Sequence, residues 1–233
     1  MDSSNNNEKL EIKEIEAETV PPAKDDVKKS GGKKEKEKKP VVQEIFEWVE
    51  IIALSLSFVL LMFTYVARQA KVDGSSMRET FHHGEAIVIS NLFYTPKQGD
   101  VIVFQVPGST LTTEPIIKRV IAVGGQTVYI DFDNWKVYVY DDSSLTVEQV
   151  ISTVTPLDEP YIEAMRESTY PNQSMKNAHD HVYPLTLEEG TLFCMGDNRN
   201  GSTDSRSSML GPVDTRYVLG KVIFRIYPFT TKF

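Results

Sequence analysis

A serine hydroxyl is a weak nucleophile until a neighbouring base takes its proton. The stretch GSSMRETFHHGE, residues 74–85 of this 233-residue chain, sets Ser75 and Ser76 close to His82 and His83. A histidine base needs a carboxylate to orient it and the right approach to the serine, and nearness in sequence supplies neither. The pair fits an exposed loop before Gly84 better than a catalytic base. The pattern is not the hydrolase elbow G-x-S-x-G either, because Arg78 stands where the last glycine belongs.

A second candidate base lies further on, in PIIKRVIAVGG, residues 115–125. A strand apolar on both faces is normally buried on both faces. Lys118 and Arg119 sit in its middle and point to opposite sides. A buried arginine keeps its proton and needs a carboxylate. A buried lysine can lower its pKa and become a neutral amine, which is a general base. The alternative is an edge strand whose lysine reaches water. A third stretch, MGDNRNGSTDSRSSMLGP at 195–212, crowds Gly, Asp, Asn, Arg and Ser after a hydrophobic strand. It reads as a loop held by its own hydrogen bonds, and it offers Asp197 and Asp204 to Arg119 or Arg206.

These residues need elements to hold them. Strands are expected over 85–90, 100–106, 115–123, 127–132, 135–140, 191–195 and 217–227, all β-branched and aromatic, with Gly, Pro, Asn and Asp between them. FDNWK reads as a hairpin turn. Residues 141–190 are polar and form an insertion with short helices near EQVI and IEAMRE. The single cysteine, Cys194, excludes an intrachain disulfide and reads as a small buried hydrophobe.

Residues 51–67 carry no charge in 17 positions. At about 1.5 Å per residue this helix spans roughly 25 Å, near the short limit for crossing a bilayer, the alternative being a buried helix of a soluble core. Trp48 and Tyr65 sit where interface aromatics belong, and Arg68 can snorkel. About fifty residues precede the run, so it reads as a permanent anchor rather than a cleaved leader. The expected organisation is a disordered Lys-rich tail over 1–42, a transmembrane anchor over 43–70, and a β domain over 71–233. Five lysines at 33–39 face only Arg68 and Lys71 beyond the run, which puts the N-terminus in the cytoplasm and the β domain outside. The net charge of −8 includes −6 on residues 71–233, a poor match for nucleic acid.

The three stretches, in this order after an anchor, resemble the bacterial type I signal peptidases. That family's motifs are roughly G-x-S-M-x-P-T-L, K-R-V-I-G-x-P-G-D and G-D-N-R-x-x-S-x-D-S-R. The third is met at Gly196, Asp197, Asn198, Arg199, Ser202, Asp204, Ser205 and Arg206. The resemblance covers about residues 41–140 and 156–228. It implies a mostly β fold, a signal-peptidase-like β-barrel/sandwich catalytic domain behind a single N-terminal transmembrane helix. It implies a membrane-bound serine endopeptidase with a Ser/Lys dyad, cutting exported preproteins after small A-x-A-like residues.

On that resemblance Ser76 is the nucleophile and Lys118 the base. Ser202 hydrogen-bonds and orients the lysine. Asp204 with Arg206, and Arg119 with Asp197, are bracing ion pairs. Met77, Gly74 and Ile117 are substrate-binding positions, and Gly74 falls where some members place an oxyanion-hole serine. Glu79 and Phe81 replace the usual Pro and Leu, and Ala122, Gly124 and Gln126 depart from the second motif. Signal peptides and the lipid bilayer are the expected partners of a monomer, with no cofactor, no metal and no nucleic acid. His179 and His181 lack a convincing third ligand. Phe81, Leu92 and Phe93 are expected to form an apolar rim near the membrane. The rivals are a catalytically idle membrane-anchored β domain, a histidine-based hydrolase and an autocleaving repressor-type protease.

Overall fold

The computed structural model describes residues 40–108, 113–176 and 181–233. The described chain falls into two units, one ending at residue 46 and one spanning 47–233. The tail expected over 1–42 lies, up to residue 39, outside the described residues. Helix α1 (Val41–Leu61) buries none of its side chains. A π-helical turn, Met62–Val66, follows it. An 18-residue window within Val41–Thr64 has a mean hydropathy of 2.0, so the helix is long and apolar enough to cross a membrane.

The expected anchor boundary at residue 70 needs correction. Arg68–Lys71 form strand β1, paired with β2 (Ala86–Ser90), with Arg68 opposite Ile89 and Lys71 opposite Ala86. RQAK has no apolar alternation, so only its backbone pairing with a distant segment makes it a strand.

The remaining strands are β3 (Val101–Phe104), β4 (Ile116–Val123), β5 (Thr127–Asp131), β6 (Lys136–Tyr140), β7 (Leu185–Thr186), β8 (Thr191–Met195), β9 (Val213–Asp214) and β10 (Val218–Arg225). Seven form one sheet in the order β1-β2-β10-β3-β4-β8-β9, and three form a second in the order β6-β5-β7. The architecture is mostly β, as expected. Every long strand expected from the sequence is present, and β5 and β6 make the expected hairpin. The insertion holds α2 (Val147–Thr153) and α3 (Pro160–Ser168). Thr146 and Gln149 close α2 with a capping box, and Pro160 opens α3, where its missing N–H costs nothing.

Two buried clusters flank the motif residues. One joins Val72, Met77, Phe81, Ile87, Val101, Val103 and Ile117. The other joins Ile121, Val128, Trp135, Ile162, Phe193 and Met195, so the insertion shares a core with β4, β5 and β8. Each such side chain contributes roughly 1.5–3 kcal/mol by leaving water. Cys194 is fully buried on β8. Gly124 faces the backbone of Glu188 and Gly190, where a Cβ would approach to 2.7 and 2.8 Å. That packing accounts for glycine at a position where the resembled motif has proline.

Candidate active site

Strand β4 enters the sheet with Ile102 opposite Lys118 and Val101 opposite Arg119. Both charged side chains are buried, at 3% and 2% exposure, which excludes the edge-strand reading. Lys118 Nζ donates to Ser76 Oγ at 2.7 Å and to the Ile117 carbonyl at 3.0 Å. Burial pushes the Lys118 ammonium down to about 8, against the opposing pull of Asp204. An amine so depressed is partly neutral near physiological pH and can accept a hydroxyl proton.

Arg119 and Asp197 form the expected ion pair, with Nε to Oδ1 at 2.9 Å and Nη2 to Oδ2 at 2.7 Å. Thr80 donates to the same carboxylate at 2.5 Å. Arg206 and Asp204 form the second pair, at 2.8 Å from Nε and again from Nη2. Burial would raise the Asp204 carboxyl, yet Arg206 and the Gly196 N–H hold it below its ordinary value. The loop after β8 reaches the serine directly. Asn198 donates from its backbone N–H to the Ser76 carbonyl and from Nδ2 to the Ser75 carbonyl, both at 3.0 Å.

Ser202 departs from expectation. It is buried, and Lys118 does not reach its hydroxyl, which lies by the Asp204 carboxylate and helps hold it ionised. It packs instead against Gly196, where any Cβ would collide with it.

Ser76, Ile117 and Lys118 line a cleft of about 480 Å³, walled by Val72, Ile87 and Val103, with Asp73 and His83 also on its lining. Met77 does not line it. Its side chain lies in the core at 1% exposure, because the turn that lifts Ser76 into the cleft drives the next residue inward. Gly74 lines a separate hollow with Arg78 and His82 and has φ +92°, a conformation that favours glycine. Phe81 is wholly buried against Phe233 and forms no rim, whereas Leu92 and Phe93 are exposed.

Neither histidine of the opening stretch bonds Ser76. His83 Nδ1 lies 3.0 Å from Asp73 and accepts from the Gly74 N–H at 3.3 Å. His82 lies 3.8 Å from Glu85. His179 lies outside the described residues. Cys194 is no nucleophile, since burial pushes its thiol well above the ordinary range.

One strong contact was not legible in the motifs. Arg199 is wholly buried and forms a two-pronged ion pair with Glu159, just before α3. A buried arginine demands a carboxylate, so a partner was implied, but nothing in the local spacing pointed to a glutamate 40 residues away.

The sequence profile described as "Signal peptidase, peptidase S26" matches residues 45–227. The chain belongs to the signal peptidase family, peptidase S26. Probable signal peptidase I-1 of Synechocystis is 30% identical over 195 residues, covering 80% of this chain and 84% of its own. Signal peptidase I of Bacillus licheniformis is 30% identical over 188 residues, covering 79% and 90%. A crystal structure of a signal peptidase I from Enterococcus faecalis aligns with 55% of this chain and 97% of its own, at 26% identity and a TM-score of 0.41. As a signal peptidase, the chain is a serine peptidase that removes signal peptides, and its substrates are preproteins that bear them.

Proposed function

We infer that this signal peptidase works through a Ser/Lys dyad, with Ser76 as nucleophile and Lys118 as general base. The observation that carries this reading is the 2.7 Å contact between Lys118 Nζ and Ser76 Oγ, at a cleft and with the amine depressed to about 8. The neutral amine takes the Ser76 proton as Oγ attacks the scissile carbonyl. The backbone N–H of Ser76 stabilises the oxyanion. The Lys118 ammonium then protonates the leaving amine, and the acyl group stays on Ser76. A water gives a proton to Lys118 and attacks the acyl carbon, and Lys118 returns that proton to Ser76 Oγ as the ester bond breaks.

The substrate binds as an extended strand. Strand β1 is the edge of its sheet, and Ala70 to Asp73 line the cleft opposite Pro115 to Ile117. Apolar walls from Ile87, Val103 and Ile117 suit apolar side chains of an extended peptide, which is compatible with an A-x-A site. Helix α1 anchors a monomer in the bilayer with its N-terminus in the cytoplasm. That orientation places the β domain beside substrates tethered in the same membrane.

The test is cleavage of an A-x-A preprotein by detergent-solubilised enzyme. Ser76→Ala and Lys118→Met should be folded and inactive, while the double change His82→Ala with His83→Ala should still cut. Survival of Lys118→Met together with loss of activity in the histidine variant would overturn the dyad.

A further inference from the structure

We propose that Glu159 and Tyr161, at the start of α3, are positioning residues for the Ser76–Lys118 pair and act through the two buried arginines Arg199 and Arg119. The inference rests on the dyad reading above and assigns a role to the insertion over 141–190.

Arg199 is wholly buried, and Glu159 is the carboxylate that takes both of its Nη groups. The Arg199 Nε donates to the Gly196 carbonyl at 3.2 Å, so the ion pair fixes the start of the loop whose Asn198 holds the Ser76 carbonyl. Two positions on, the Tyr161 ring lies under the Arg119 guanidinium, 3.9 Å from its carbon to the ring centroid. Arg119 is the neighbour of Lys118 on β4 and grips Asp197, in the same loop. The Tyr161 hydroxyl donates to Glu159 Oε1 at 2.7 Å and joins both arginines into one network. One turn of chain thus reaches the strand that carries the base and the loop that bonds the nucleophile's backbone. Neither residue lines the substrate cleft.

That separation defines the readout. Residues that set the geometry of the dyad without touching substrate should change kcat and leave KM alone. A displacement on the order of 1 Å at a reacting group costs up to ~100-fold in rate. Glu159→Gln keeps the shape but removes the charge, and should lower kcat by about tenfold or more with KM within about twofold. Tyr161→Phe keeps the ring on Arg119 but cuts its link to Glu159, and should lower kcat by a few fold.

The assay is preprotein cleavage by the full-length, detergent-solubilised enzyme, with thermal unfolding followed on the same samples. The neutral pair Glu159→Leu with Arg199→Met serves as a second variant, because Glu159→Gln leaves a buried charge that can unfold the chain. The proposal stands if the neutral pair folds with a wild-type melting temperature and still shows the fall in kcat. It is overturned if the neutral pair has wild-type kcat, since the ion pair is then only a way to bury an arginine. It is also overturned if folded Glu159→Gln raises KM and spares kcat. Lys118→Met is run alongside. Activity in that variant refutes the dyad itself, whereas its inactivity beside a fully active neutral pair refutes only the positioning role.

Discussion

Lys118 Nζ meets Ser76 Oγ at 2.7 Å across 42 residues of sequence, inside a protein that leaves the lysine 3% exposed. The ordinary lysine value of 10.5 falls to about 8 because the ammonium has lost its water. The Lys118 amine is therefore mostly charged below about pH 8 and mostly neutral above it, so the proposed dyad gains active enzyme as pH rises. Under substrate-limited conditions the cleavage rate should climb about tenfold per pH unit up to that point and then level. A rate profile taken from pH 6 to 10 checks this. A limb centred near pH 6.5 would point to an imidazole instead.

The same burial destabilises the fold. The unfolded lysine holds its proton up to 10.5 and the folded one only to about 8, so the unfolded chain binds the extra proton between those values. The penalty is complete below pH 8 and vanishes as pH rises through 10.5. At about 1.36 kcal/mol per unit, wild type should gain roughly 3 kcal/mol on Lys118→Met between pH 7 and pH 11. Denaturant melts of both proteins at the two pH values measure it. A stability difference that does not move with pH would contradict the depressed lysine.

Asp197 neutralises Arg119 from a position with 0% side-chain exposure. Asp197→Ala leaves that guanidinium buried without its carboxylate and should cost about 3–5 kcal/mol. The change should also release Thr80, which bonds the same carboxylate from the turn that follows Ser76. Urea unfolding of the variant tests the size of the loss. A cost under about 1 kcal/mol would show the pair to be wet and weak.

Glu79 holds φ +83°. The resembled motif has proline there, and a proline ring fixes φ near −65°. Restoring the family residue by Glu79→Pro should therefore destabilise this chain by about 2 kcal/mol or more. Glu79→Gly should be neutral or stabilising by up to ~1 kcal/mol. The two melting temperatures, compared with wild type, decide the matter. A more stable proline variant would mean that this turn is not left-handed in solution.

Much of this was readable in advance because it is local. Strands β2 to β6, β8 and β10 declare themselves by β-branched runs between turn residues, and short helices were expected near EQVI and IEAMRE in the polar insertion. Lys118 and Arg119 stood out as charges in an apolar strand. What escaped is non-local. Strand β1 exists only through pairing with β2, and Glu159 has no feature of its own until α3 is folded onto Arg199. Met77 and Phe81 illustrate a different failure. A motif names residues beside a nucleophile, but only the turn decides which face the cleft and which face the core. Ser202 matches its motif, yet the bond that the match implied is not formed.

Cys194 carries a consequence outside catalysis. It is the single thiol of the chain, sealed at 0% exposure between β4 and the loop that accepts it through Ser205, whose hydroxyl takes the Cys194 N–H at 3.0 Å. An alkylating reagent can reach it only when its packing with Ile102, Phe104, Val120, Leu192, Val213 and Val218 opens. The rate of its labelling is therefore a clock for the transient opening of the packing around the strand that leads into the Asp197 loop, readable by mass spectrometry in the intact enzyme without any engineered probe.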